Sequence, residues 1–267
     1  MDIKKTEPFI SALTIAGSDP SGGAGIQMDL KTFATTGVWG MAVVTALTAQ
    51  NPNRVSGVWA MDTPVITEQI QTLLEDIIPG AVKTGMLATA GIIQTVVTTL
   101  PAEILLIVDP VMISTSGHRL LDASAINAVK NLLIPRATLV TPNIPEAEVL
   151  TGMEIRDEPG MEEAGRRILD LGARAVVVKG GHGSGTESVD LLITHDGVIR
   201  LSSIRFPYQV HGSGCCYSAA VTGYLASGCG VEESCRKGKI LVSEAIKYAV
   251  SSSSGTRMVN PGMNHYK

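Results

Sequence analysis

Cysteine, charge and long apolar runs are all scarce in this chain of 267 residues, and each scarcity closes off a class of protein. There are four cysteines, Cys215, Cys216, Cys229 and Cys235, all in the last quarter. They form no Cys-x-x-Cys pair, and no histidine lies at zinc-finger spacing, so they make neither a disulfide framework nor a zinc site. For Cys216, Cys229 and Cys235 the simplest role is that of small apolar packing residues. Charged residues are 17% of the chain, the formal net charge is -4, and no lysine or arginine cluster breaks the balance. That argues against nucleic acid or an anionic membrane surface as the main partner and in favour of a small molecule. No apolar run reaches the roughly 18 residues of a membrane span, and Met1 to Pro8 lacks the apolar region of a signal peptide, so a cytoplasmic location is expected. Repeats, low-complexity linkers and boundary-marking charge runs are missing too, and one domain over residues 1–267 is expected.

What the chain does have is 45% hydrophobic residues in an alternation of strand and helix patterns. Strands are expected at Phe9 to Ala16, Met41 to Leu47, Ala81 to Thr84, Ile104 to Val108, Ala137 to Val140 and Ala175 to Val178. Helices are expected at Ile26 to Thr35, Thr63 to Ile77, Ala90 to Thr99, Ser124 to Leu133 and Met161 to Leu171. Runs such as Ile104 to Val108 are apolar throughout, as parallel strands covered on both faces must be. Val189 to Ile193 and Val198 to Leu201, split by an Asp-Gly turn, read as an edge hairpin. Two helices follow, Gly214 to Ser227 and Val231 to Ser251. The run Ser251 to Ser254 reads as the frayed end of the second, and the tail beyond it carries no legible signal. The resulting doubly wound sheet binds its ligands at the C-terminal ends of the strands, where Gly17, Gln50, Lys83, Asp109, Asn143 and Lys179 stand.

The densest signal is His211-Gly212-Ser213-Gly214-Cys215, which runs straight into an Ala-rich helical pattern. Glycines let the backbone turn its N–H groups inward, and a helix start adds unpaired donors and a positive dipole end, so the segment suits an anion. A thiol at that position is expected to have a lowered pKa and to serve as base or nucleophile. A plain strand-to-helix connection would use the same glycines.

Seven segments in register, Ala16 to Asp29 with its Gly22-Gly23-Ala24-Gly25 loop, Thr45 to Asn51, Lys83 to Leu87, Asp109 to Met112, Thr141 to Ala147, Lys179 to His182 and His211 to Cys215, resemble the hydroxymethylpyrimidine/phosphomethylpyrimidine kinases of thiamine biosynthesis. The resemblance implies a three-layer α/β/α ribokinase-like fold with a mostly parallel central sheet. It also implies ATP and Mg²⁺, and phosphorylation of 4-amino-5-hydroxymethyl-2-methylpyrimidine and then of its monophosphate.

By the same resemblance Cys215 stands where ribokinase-like enzymes usually carry an aspartate base, and Gly212, Ser213 and Gly214 form an anion hole with it. Lys179, Asn143 and Gly181 fall on the ATP side, and Asp109 and Glu146 near Mg²⁺. Gly17, Asp29, Gln50 and Met86 fall on the substrate side. Val111 joins them, since a flat aminopyrimidine needs both a polar edge and apolar walls. A homodimer is expected from the likeness alone. Plainer roles stand beside these: a solvated lysine for Lys179, a helix-surface carboxylate for Asp29, core filler for Met86, and a capping box for Asn143 and Glu146. The glycine loop is not a Walker A motif, because no Gly-Lys-Ser/Thr follows it. Ser213 and Cys216 replace residues that are usually threonine or polar in the family, and His118 stands where an acidic residue is more common. Pyridoxal kinase activity and non-catalytic pyrimidine binding are the competing readings.

Overall fold

The computed structural model describes residues 9–112, 123–181 and 185–263; His118 and His182 lie outside them. Strands β1 (Ser11–Gly17), β2 (Trp39–Asn51), β3 (Arg54–Ala60), β4 (Ala81–Thr84), β5 (Leu106–Val108), β6 (Leu139–Val140), β7 (Ala175–Lys179), β8 (Glu187–Thr194) and β9 (Gly197–Ile204) form a sheet. Its order is β3-β2-β1-β4-β5-β6-β7-β8-β9. The stretch from β2 to β7 is parallel, while β3 on one edge and β8 and β9 on the other are antiparallel additions. The helices are α1 (Gly25–Thr35), α2 (Thr63–Leu74), α3 (Ala90–Thr99), α4 (Ala123–Ala128), α5 (Ile144–Thr151), α6 (Glu158–Asp170), α7 (Ser213–Ala226) and α8 (Val231–Lys247).

The apolar central strands feed two cores because successive side chains point to opposite faces. Leu13, Ile15, Val82, Leu106, Val108, Val140, Val176 and Val178 pack against α2 to α6. Their neighbours Ala81, Ile107, Leu139, Ala175 and Val177 pack against α1, α7 and α8, with Met28, Cys216, Tyr217 and Val242 among the partners. Three layers result, as expected. The winding reverses between β1 and β4, since α1 carries the chain out to β2 on one side of β1 while β4 lies on the other. The crevice for a ligand therefore opens at the C-terminal ends of those two strands, at Gly17 and Thr84. No helix among the described residues is long and apolar enough to cross a membrane.

Three elements depart from the sequence reading. Strand β2 continues past Leu47 to Asn51 because β3 pairs with it, and β3 is exposed along most of its length, so it shows no apolar pattern to read. The expected helix Ser124 to Leu133 is α-helical only to Ala128, then widens to a π turn at Val129–Leu133 and tightens to a 3-10 turn at Ile134–Arg136. The serine run is not a frayed helix end. Helix α8 stops at Lys247, and β10 (Val250–Ser251) pairs antiparallel with β11 (Arg257–Met258) across a turn in which Gly255 takes φ +87°. Serine and glycine suit such a turn, glycine because it enters the left-handed region freely.

Candidate active site

Strand β1 ends where its register against β2 slips, between Ala16 and Gly17. A Cβ on Gly17 would come 2.4 Å from the Met86 Cε, so the two expected substrate-side residues touch. Gly25 has φ +58°, and a Cβ there would lie 2.5 Å from the Gly17 carbonyl, which fixes glycine at the point where the loop folds back to start α1. Asp19, which is buried, holds this loop. Its Oδ1 accepts from the Ser21 N–H at 2.9 Å and the Ser21 hydroxyl at 2.7 Å. Its Oδ2 lies 3.2 Å from His211 Nε2. Burial acts to raise the Asp19 carboxyl, but the contacts with His211 and Ser21 outweigh it and hold the group below its ordinary value.

Asp29 is no surface carboxylate: it is 0% exposed. Its Oδ2 accepts from the Thr14 hydroxyl at 2.6 Å and from Lys83 Nζ at 2.8 Å, while Oδ1 has no hydrogen-bond partner among the described residues. Lys83 is itself fully buried. A buried carboxylate oxygen without a donor is costly, so this atom is a ready acceptor for a ligand N–H. Met86 lines the crevice, its carbonyl tied to the Thr45 hydroxyl at 2.7 Å. Val111 is half-buried just after Asp109. Gln50 sits on β2 at the slip in its pairing with β3, half-buried, and its amide makes no hydrogen bond with another described residue.

Opposite these residues α7 begins. Gly212 caps it in the left-handed region at φ +86°, and a Cβ there would lie 1.8 Å from the Gly23 carbonyl, so the two glycine segments press together. The first helical bond inside α7 is Cys216 N–H to the Gly212 carbonyl, 2.9 Å. Ser213, Gly214 and Cys215 therefore present N–H groups with no carbonyl one turn earlier to receive them. The expectation of a lowered thiol pKa is overturned. Burial pushes Cys215 up to about 12, and although Lys83 acts to lower it, Asp29 and Asp109 act with the burial. Cys216 is fully buried in the core beside α1, as its packing role requires, and all four cysteines are unpaired.

The third cluster stands on β5, α5 and β7. Lys179 Nζ lies 3.2 Å from Asp109 Oδ1, and a Cβ on Gly214 would sit 3.4 Å from the same Nζ, so the ammonium faces the start of α7. Asp109 Oδ2 accepts from Ser218 at 2.9 Å. Burial acts against the charge of Asp109, but Lys179 and Lys83 hold its carboxyl below the ordinary value. Asn143 and Glu146 do form the capping box: Glu146 N–H donates to Asn143 Oδ1 at 2.8 Å and Asn143 N–H to Glu146 Oε2 at 2.9 Å. Glu146 nonetheless belongs to the cluster, for burial raises its carboxyl to about 7, Lys179 opposes that and Asp109 adds to it. Gly181 is exposed after β7, its carbonyl held by Arg205.

Among the described residues no group of three or more His, Cys, Asp or Glu side chains is placed to ring a metal. Two electrostatically coupled carboxylates do fit a hard cation that keeps most of its waters and takes phosphate oxygens. Several participants carry roles of their own that the sequence did not show: Asp19 and His211 within their segments, Lys83 at its strand end, and Ser218 and the segment from Arg257 to Val259, which drew no expectation. His211 N–H donates to the Arg257 carbonyl at 2.8 Å and Val259 N–H to the His211 carbonyl at 3.0 Å. Lys83 had a usable signal. A charge inside the otherwise apolar strand Ala81 to Thr84 demands a buried partner.

The model of one family, phosphomethylpyrimidine kinase, matches residues 19–260. The chain belongs to the phosphomethylpyrimidine kinase family. This kinase is 40% identical to the hydroxymethylpyrimidine/phosphomethylpyrimidine kinase of Staphylococcus aureus (strain MSSA476) over 254 residues, covering 93% of the chain and 92% of that protein. It is 43% identical over 256 residues to the thiamine biosynthesis bifunctional protein ThiED of Geobacter sulfurreducens, covering 95% of the chain but only 52% of that longer protein. Among solved structures it resembles an ADP complex of Bacillus subtilis pyridoxal kinase, with TM-score 0.90, 36% identity and coverage of 97% and 100%. It also resembles phosphomethylpyrimidine kinase from Clostridium difficile, with TM-score 0.78, 44% identity and coverage of 88% and 99%. The fold of the kinase is ribokinase-like.

Proposed function

We propose that this kinase transfers the γ-phosphoryl group of ATP to the hydroxymethyl group of 4-amino-5-hydroxymethyl-2-methylpyrimidine and then phosphorylates the monophosphate, for thiamine biosynthesis. One observation carries the reading: Gly212 lies so close to Gly23 that a Cβ there would overlap the Gly23 carbonyl, which brings the start of α7, with Lys179 over Gly214, against the crevice of Gly17, Asp29 and Met86. Asp29 Oδ1 accepts the exocyclic amine, while Met86 and Val111 cover the ring and Gln50 closes its polar edge. The hydroxymethyl group then faces Cys215, which takes the hydroxyl proton as the new P–O bond forms. Cys215 accepts that proton only as thiolate, so its own proton must first pass to solvent; the thiolate is a minor form at neutral pH whose share grows as pH rises, and it becomes the thiol as the P–O bond forms.

The N–H groups of Ser213, Gly214 and Cys215 and the Lys179 ammonium take up the charge of the transferring group; loss of one such donor costs on the order of 3 kcal/mol of barrier. Asp109 and Glu146 would hold Mg²⁺, partly through water, and the ion would neutralise phosphate charge. Asn143 and Gly181 border the nucleotide.

The likeness to pyridoxal kinases makes pyridoxal the competing acceptor, since it too is a flat heterocycle with a hydroxymethyl group. Mass-spectrometric product analysis with Mg-ATP and equal concentrations of the pyrimidine and pyridoxal separates the readings. Pyrimidine mono- and diphosphate are expected. Pyridoxal phosphate as the sole product would move the assignment, and no product from either would leave a pyrimidine-binding protein without catalysis.

A further inference from the structure

Behind the nucleotide side of the site lies a buried ion pair that no step above uses. Asp190 on β8 and Lys239 on α8 are 4% and 6% exposed, with Lys239 Nζ 2.7 Å from Asp190 Oδ2 and 3.2 Å from the Ser188 hydroxyl. The other carboxylate oxygen, Oδ1, accepts the Gly180 N–H at 3.0 Å. Gly180 follows Lys179 directly and has no room for a side chain, since a Cβ would fall 2.0 Å from the Val189 carbonyl. Its own carbonyl accepts from Arg205 at 3.2 Å. Ahead of it, the Lys179 N–H is fixed on the Pro142 carbonyl at 2.8 Å. Gly180 is thus gripped at its N–H by Asp190 and at its carbonyl by Arg205.

A buried ion pair of this kind is weak evidence of stability, because apolar residues of similar size often serve as well. Here one of its oxygens is spent on a backbone donor at the mouth of the site. We propose that Asp190, held in place by Lys239, is a positioning residue: its bond to Gly180 fixes the turn that aims the Lys179 ammonium at Asp109 and at the transferring phosphoryl group. This rests on the reading that Lys179 meets the phosphates, and it assigns Asp190 and Lys239 no contact with either substrate.

Two double variants separate the backbone bond from the charge pair. Asp190→Asn with Lys239→Met removes both charges and keeps an oxygen for Gly180. Asp190→Val with Lys239→Met removes both charges and the acceptor. The first is expected to keep kcat within about twofold of the wild type. The second is expected to lose at least about tenfold in kcat, a fraction of what a misplacement near 1 Å can cost, with KM for the pyrimidine little changed and a melting temperature close to that of the first. Hydrogen exchange at the peptide covering Lys179 to Gly181 is expected to quicken in the second variant alone. Equal kcat in the two variants, whether both high or both low, overturns the proposal. So does unchanged exchange at Gly180 in the Val variant. A wild type that phosphorylates no pyrimidine would overturn the proposed function instead, and the exchange comparison would still decide the role of Asp190.

Discussion

In the proposed reaction Cys215 is the residue on which the chemistry turns, and its environment sets the pH dependence. Burial holds the thiol near 12 in the free protein, above its ordinary 9.0, so no ionisation of this group falls near neutrality. Turnover of the wild type is expected to rise steadily from pH 7 to 9 without a plateau. Cys215→Asp, whose carboxyl is ordinarily far more acidic than a thiol, is expected to keep measurable activity and to flatten that rise; a wild-type plateau near pH 7 would contradict the assignment. Glu146 gives a second residue-scale test. Its carboxyl stands at about 7 against an ordinary 4.5, so the fold favours the protonated form. That stabilisation is complete below pH 4.5 and is lost as pH rises through 7. In chelator-treated protein at pH 8, Glu146→Gln keeps the cap to Asn143 and sheds the buried charge, so it is expected to exceed the wild type by up to about 3 kcal/mol, with the gap falling to under about 1 kcal/mol at pH 5. Paired denaturation curves at the two pH values check this. Lys83 shows how residue-scale roles escape a sequence: its charge was visible, but its partner Asp29 lies 54 residues away on α1, and the pairing of β4 with β1 sets Lys83 beside Thr14, which bonds the same carboxylate.

Among the elements, α7 and the hairpin of β10 and β11 do most to build the site. Gly212→Ala would place a methyl group 1.8 Å from the Gly23 carbonyl on a backbone at φ +86°, where neither partner can yield cheaply. The variant is expected to lose about 1–3 kcal/mol of stability and most of its turnover. A melting temperature and kcat equal to the wild type would show that the two glycine segments are not pressed together. Helix α7 was legible because its glycines and small residues announce an anion-binding helix start. The hairpin of β10 and β11 was not, because two-residue strands carry no periodicity and a serine run resembles a fraying helix. Strand β3 escaped for a related reason: its exposed face has no apolar alternation, and only its pairing with β2 makes it a strand.

Across the whole molecule the sheet brings together two half-sites, one from β1, α1, β2 and β4 and one from β5, β7, α5 and α7. That division was readable in the sequence as strand ends, since an α/β sheet gathers its ligands there, but the meeting of the halves was not, because it depends on Gly23 against Gly212 and on Asp19 against His211. A division of labour follows. Asp29→Asn is expected to raise KM for the pyrimidine at least about tenfold with ATP affinity intact, whereas Lys179→Met is expected to cut kcat with pyrimidine affinity intact, each read by steady-state kinetics beside direct binding. Variants that moved both affinities together would argue that the halves do not act as separate sites.

The most direct test is the single-turnover rate of Cys215→Ala, with Mg-ATP and hydroxymethylpyrimidine both bound, against that of the wild type. The account predicts a loss of about 10²- to 10⁴-fold, the usual contribution of a positioned base, with ATP and pyrimidine dissociation constants nearly unchanged. A rate equal to that of the wild type would remove Cys215 from proton transfer and contradict the mechanism.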